Sequence, residues 1–270
     1  MSSTRRLNRR QFVARSVAVA AGVSVGVGAP AILRAAASDK WGDLVGRFEY
    51  DGSAPERKKL KVDKDVDCCG KFDIRDESLM VGEDGGLGNV YVYVRSRKVD
   101  VFPELKESAE EQVVLDNLNC IFIPHCMTIW CDEQEFSIVN SDPVAQNVAF
   151  APLGDVPANI ILPAPPDEAS KATWTFRRKQ NIPVPIACNY HPWESGYILP
   201  RDHPYVAISA IDGTFRIPKL PADDLEFQVW HERVGYLGTP EWSKGRFEMS
   251  VKPGVNDLGT IKLAPSTFEK

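Results

Sequence analysis

The stretch Ile186–Tyr197, IACNYHPWESGY, sets a thiol at Cys188, an imidazole at His191 and a carboxylate at Glu194, each three residues from the next. A thiolate and an imidazole on one short loop can hold copper or zinc, and a carboxylate extends a set that zinc also accepts. The same residues have a structural use. Cys188 can be a small buried hydrophobe or a disulfide partner, Pro192-Trp193 can plug the end of a sandwich, and His191 can bond a nearby carbonyl. No Gly-rich phosphate loop, Gly-x-Ser-x-Gly elbow or His-Glu-x-x-His sequence occurs, and GEDGGLGN (Gly82–Asn89) lacks the strand–helix setting of a nucleotide fingerprint. The chain is expected not to be an enzyme, and a small metalloenzyme that uses the thiolate, imidazole and carboxylate as an open metal site stays open as an alternative.

A metal loop needs a rigid frame to leave from. Twenty prolines and nineteen glycines punctuate short alternating apolar runs, which predicts an all-β protein built of sandwiches. VPIACN (Val184–Asn189) is one predicted strand and delivers Cys188 at its end. CIFIPHCMTIW (Cys120–Trp130) reads as a single strand pairing with EFSIVNS (Glu135–Ser141). Counting back from the Asp132-Glu133 turn then places His125 near the same end as Asn140. FPELKESAEEQ is the one good helical candidate. His203, before a proline, reads as an exposed or hinge residue, and His231, after a strand tryptophan, as a sheet-edge cap.

The first residues belong to a different class. NRRQFVA (Asn8–Ala14) is a twin-arginine sequence, followed by an apolar Gly/Ala-rich run and Ala35–Ala37, so residues 1–37 are expected to be an export signal cut near Ala37, with a periplasmic or otherwise exported location. Removing it takes six arginines and no acids. The remaining 26 basic residues face 37 acidic ones, a formal charge of −11, which argues against nucleic-acid and anionic-lipid partners. No membrane span is expected in the mature chain.

Export also permits disulfides among the six cysteines. Cys68-Cys69 lies in a Gly-flanked loop and Cys120 opens a strand, so a Cys69–Cys120 bridge is expected, with Cys68 to Cys126 or Cys131 a further candidate. Cys126 and Cys131 cannot bridge each other in an extended strand, where five residues span roughly 16 Å.

Two resemblances divide the chain. AISAIDGTFRIPKLPADDLEFQVWHE (Ala207–Glu232), with an Asp-Gly hairpin turn and a Pro-bounded turn, resembles the small transthyretin-like sandwich of carboxypeptidase regulatory-type modules. GDLVGRFEYDGSAP (Gly42–Pro55) looks like its opening strand. The middle, with EFSIVNSDPVAQNVAF and the Cys188 loop, resembles a cupredoxin of the amicyanin/plastocyanin type. The mature chain as a whole looks like exported bacterial proteins labelled "methylamine utilization protein", which pair the two sandwiches. The resemblance implies a cupredoxin-like Greek-key sandwich at 110–199 and a discontinuous regulatory-like sandwich at 42–100 and 200–265.

The resemblance also implies a site. Cys188 and His191 match the copper loop residue for residue. Gln146 stands where the family carries its first histidine, and Glu194 where it carries methionine. An amide oxygen is a poor replacement for an imidazole on copper, and an anion favours Cu(II) over Cu(I). The expected function is electron transfer or copper handling at an atypical or lost type 1 site, with a redox or envelope protein as partner. Were His125 to reach the loop, Cys188, His191, Glu194 and His125 would form a red-copper-like or zinc set. The remaining alternative is a metal-free envelope binding or scaffold module.

Overall fold

The computed structural model describes residues 40–107, 109–165 and 169–269; the expected export signal at 1–37 lies outside them. The chain opens with β1 (Trp41–Tyr50), a single helical turn α1 (Val66–Cys69), β2 (Tyr91–Val94) and the short helix α2 (Pro103–Glu107). The middle supplies β3 (Gln112–Leu118), β4 (Ile121–Ile123), β5 (Cys126–Trp130), β6 (Glu135–Asn140) and β7 (Gln146–Phe150). It continues with β8 (Ala158–Leu162), β9 (Ser170–Trp174), β10 (Val184–Ala187) and β11 (Ser195–Arg201). The last part holds β12 (Val206–Ile208), β13 (Thr214–Pro221), β14 (Asp224–His231), β15 (Gly235–Tyr236), β16 (Arg246–Ser250) and β17 (Gly254–Leu263). The chain is nearly all β, and among the described residues of the expected helical stretch five are helical.

The strands form four sheets. Sheet β13-β1-β17 and sheet β12-β2-β14-β15, with β16 on β14, come from the two ends of the chain. Their inner faces enclose a core that includes Phe48, Val92, Phe215, Ile217 and Phe227. Sheets β4-β3-β6-β9 and β5-β11-β10-β7-β8 come from the middle and enclose a second core. Its centre is Phe136, Phe150 and Phe176, with Phe150 and Phe176 centroids 5.2 Å apart. Each such buried phenyl contributes about 1.5–3 kcal/mol relative to an exposed one. This sandwich must stay rigid, because β7 and β10 carry the candidate ligands.

Two expected pairings are corrected. CIFIPHCMTIW is not one strand: it breaks at Pro124, which has no N–H to donate and a fixed φ, into β4 and β5. β4 pairs with β3, β5 pairs in parallel with β11, and β6 lies between β3 and β9 instead of against β5. The Asp212-Gly213 turn is likewise no hairpin between paired strands. It carries the chain from β12, on β2, to β13, on β1. Gly213 is needed there, since its φ is +81° and an added Cβ would meet the Phe48 carbonyl oxygen at 2.0 Å.

The two sandwiches meet at a seam of Tyr91, Tyr93, Cys126, Leu199 and Trp230. Tyr91 donates through its hydroxyl to the Tyr197 carbonyl at 2.9 Å. The guanidinium of Arg201, 3 % exposed, donates to the carbonyls of Gln180 (2.8 Å) and Val94 (2.9 Å), so one side chain ties both halves. Buried carbonyls left without that donor would each cost about 1–3 kcal/mol.

His203 is buried beside this arginine, not exposed, its Nε2 3.1 Å from Arg201. Burial, reinforced by the Arg201 charge, pushes His203 from 6.5 down to about 4. A base kept neutral in the fold and free to protonate when unfolded contributes stability above its unfolded pKa and loses it as pH falls toward the folded one. Between pH 6.5 and 4 the expected loss is about 3 kcal/mol, at about 1.4 kcal/mol per unit. Thermal unfolding followed across that range checks it, and a His203→Gln protein should show a flatter profile; an unchanged slope would reject the assignment.

Candidate metal centre

β10 alternates cleanly, with Val184 and Ile186 buried and Pro185 and Ala187 exposed, so Cys188 arrives on the inner side. The loop then folds back on itself. Cys188 N–H donates to the Glu194 carbonyl (3.1 Å), Glu194 N–H to the His191 carbonyl (2.9 Å) and His191 N–H to the Cys188 sulfur (3.3 Å). Asn147, beside Gln146 on β7, clamps the turn from outside: its Oδ1 accepts the N–H groups of Asn189 (2.7 Å) and Tyr190 (3.2 Å). β11 begins directly after Glu194, so the loop is held at both ends by paired strands.

The side chains converge. Cys188 Sγ, His191 Nδ1 or Nε2 and a Glu194 oxygen all lie within 4.8 Å of one another. Gln146 Oε1 is 2.6 Å from His191 Nδ1 and 3.5 Å from Cys188 Sγ. The same imidazole nitrogen is 3.3 Å from Glu194 Oε1 and 3.8 Å from Cys188 Sγ. All four residues are buried to 2 % exposure or less. The arrangement is therefore one thiol, one imidazole, one carboxylate and one amide oxygen brought together in a buried site.

Protonation follows from the neighbours. Gln146 Nε2 donates to Asp142 Oδ2 at 3.1 Å, which fixes its oxygen toward His191. The far nitrogen, His191 Nε2, is 2.8 Å from Asp65 Oδ2. Both ring nitrogens thus face acceptors and the ring is an imidazolium. Burial alone would lower its pKa, but Cys188, Glu194 and Asp65 outweigh that and raise it to about 10. Burial raises the Glu194 carboxyl despite the opposing pull of His191. The one ionic neighbour of Glu194 among the described residues is His191, whose Nδ1 lies 3.3 Å from Oε1; neither carboxylate oxygen meets a donor at closer hydrogen-bond geometry.

His125 is not brought to this cluster. Its Nε2 is 2.7 Å from Glu232 Oε1 and its Nδ1 is 3.6 Å from Glu77 Oε2. It lies on the wall of a cavity of about 50 Å³ that also touches Glu194 from outside, so it forms part of the seam. The cause is the break at Pro124, which moves β5 onto β11 and away from β6. His231 is buried on β14, not a sheet-edge cap.

Cys69 and Cys120 form the expected disulfide, with Cα atoms 5.5 Å apart. Cys68, Cys126, Cys131 and Cys188 are free thiols, so no bridge joins Cys68 to Cys126 or Cys131. Those two are held elsewhere, Cys126 in the seam and Cys131 in the middle core. Three contributors were not foreseen: Asp65 at the start of α1, Asp142 and Asn147. The Asn-Ser-Asp-Pro turn at Asn140–Pro143 was a visible sign of Asp142; nothing near Asp65 marks it as a partner of His191.

Neither a family model nor a curated protein matches this chain. Among solved structures it is similar to a copper-containing nitrite reductase from Thermus scotoductus SA-01, at 16 % identity and TM-score 0.28, over 33 % of this chain and 22 % of that one. The chain thus spans under a quarter of that protein's length. It is also similar to amicyanin from Paracoccus versutus, at 19 % identity and TM-score 0.28, over 41 % of this chain and 97 % of that one. Likenesses this distant do not bear on the site, which stands on its own atoms.

Proposed function

We propose that this chain is an exported, noncatalytic cupredoxin-like protein that holds one transition-metal ion between Cys188, His191, Glu194 and Gln146, and that it serves copper handling more than rapid electron transfer. The observation that carries the reading is the convergence, in one buried place, of the Glu194 carboxylate with a thiol, an imidazole and an amide oxygen. Such an acceptor set is completed by a cation. His191 carries a carboxylate on its outer nitrogen, the arrangement that orients imidazole ligands and raises their basicity. Two of the four donors are hard oxygens, which suits Cu(II) or zinc and serves Cu(I) poorly. Cycling between copper states would therefore be costly. The twin-arginine sequence supports export, and the natural partner is an envelope protein that delivers or receives the metal.

A second reading is favoured by one observation: as an imidazolium, His191 is already satisfied by Gln146 and Asp65 without any metal. The two readings part on proton release, since an ion at Nδ1 must displace that proton. The test is the metal content of the exported protein and titration with Cu(II) and Zn(II), beside a Cys188→Ala variant. One equivalent bound, with a thiolate-to-copper absorption that vanishes in the variant, is the expected result. Zinc alone at one equivalent would keep the site and remove the copper role. A protein that takes up neither metal would leave only the metal-free module.

A further inference from the structure

Beside the candidate metal centre lies a second sulfur cluster that its function does not use. The sulfurs of Cys68, Cys69 and Cys120 lie within 4.8 Å of one another, and only Cys69 and Cys120 are bonded. Cys69 and Cys120 are wholly buried, whereas Cys68 is half-buried. Cys120 occupies an unusual place. With Asn119 it makes the two-residue turn between β3 and β4, both at positive φ (+60° and +58°), where glycine or asparagine is the usual occupant. The turn is held by Asp142, which accepts the N–H groups of both residues, at 2.8 and 2.9 Å.

We propose that Cys68 makes this cluster a thiol–disulfide exchange site. The Cys68 thiolate attacks Cys120 Sγ, the Cys69–Cys120 bond breaks, and Cys69 leaves as a thiolate that takes up the proton Cys68 gave up; no oxidant or reductant is consumed. Attack on Cys69 itself is disfavoured, because neighbouring Cα atoms are 3.8 Å apart and disulfides need about 4.4–6.8 Å. The exchange converts a bond between two buried sulfurs into one that includes the half-exposed Cys68. A small thiol or a dithiol protein can then bond to the Cys68 sulfur, releasing Cys120 as a thiolate. Burial and the Asp142 and Asp65 carboxylates hold the Cys68 thiol above its ordinary pKa, so the exchange is slow at rest.

The cluster sits where exchange would be felt. The Asp65 carbonyl accepts the N–H groups of Cys68 and Cys69, while its carboxylate meets His191. Asp142 holds both the Cys120 N–H and the Gln146 amide. The bond therefore joins the two segments that flank His191 from opposite sides, although the exchange itself requires no metal.

Two measurements on the exported, metal-free protein test the proposal. In a Cys69→Ala protein, alkylation and peptide mapping should recover Cys68 linked to Cys120; both as free thiols in a folded protein would overturn it. In the otherwise unchanged chain, glutathione should reduce the native disulfide at least tenfold faster than in a Cys68→Ser protein, and equal rates would overturn it even where the first variant fails to fold.

Discussion

A Gln146→His protein loaded with Cu(II) is expected to bind copper roughly 100-fold more tightly than the parent, at least what a lost outer-shell partner costs a metal site, and to show a far more intense thiolate-to-copper absorption. Gln146 is wholly buried, with its Oε1 2.6 Å from His191 Nδ1 and 3.5 Å from Cys188 Sγ, so a ring nitrogen placed there would face the same point. The amide Nε2 now donates to Asp142 Oδ2 at 3.1 Å. An imidazole in its place could donate its second N–H to the same carboxylate, matching the His191–Asp65 pair across the site. One thiolate with two carboxylate-oriented imidazoles is the donor set that copper prefers to a thiolate with one imidazole and an amide. Isothermal titration and absorption spectroscopy read both effects. Unchanged affinity and colour would mean that residue 146 does not face the metal, and the four-residue site would lose its amide member.

That experiment turns on a position whose importance the sequence showed only in part. The Cys188–His191–Glu194 spacing was legible because all three residues lie on one loop whose flanking strand alternates, and period-two alternation is a local signal. Gln146 was legible through the turn that precedes it. Asp65 was not, for it meets His191 from 126 residues away in chain order, and nothing in Lys64-Asp65-Val66 distinguishes that carboxylate from the other acidic side chains of the chain. Pairings between strands suffer from the same limit.

His125 shows how one residue can mislead such reasoning. Alternation read through Cys120–Trp130 assumes a continuous strand, and Pro124 sits at its centre with nothing to donate to a ladder. The chain changes sheets there, so the side of the sheet on which His125 falls is decided by β11, its new neighbour, and the carboxylates of Glu232 and Glu77 take the imidazole. Burial lowers the His125 pKa and those carboxylates more than compensate, so the net shift is upward. The histidine that looked like a fourth ligand is a staple between sandwiches, paired with Glu232 at 2.7 Å. The Cys69–Cys120 pair, by contrast, forms as expected, although Cys69 ends the helical turn α1 and Cys120 sits in the turn before β4, where the sequence predicts a loop and a strand start.

Loss of that bond is the largest change in stability expected from any single substitution described here. Cys69 and Cys120 are separated by 51 residues, and closing a loop of that length constrains the unfolded chain by about 4 kcal/mol on the chain-entropy account. For a protein of this size that is roughly 8–16 °C in the unfolding midpoint. Cys120→Ala should show the whole effect, since it removes the one sulfur that either Cys68 or Cys69 can reach. It also leaves the loop carrying Asp65 untethered from the turn held by Asp142, so metal uptake should weaken together with stability. Cys69→Ala should cost clearly less, because Cys68 can take its place against Cys120. Calorimetry on the two variants, each with its thiols counted, separates the cases: equal losses in both would mean that no alternative bond forms, and a small loss in Cys120→Ala would mean that the unfolded chain gains little freedom when the bond is absent.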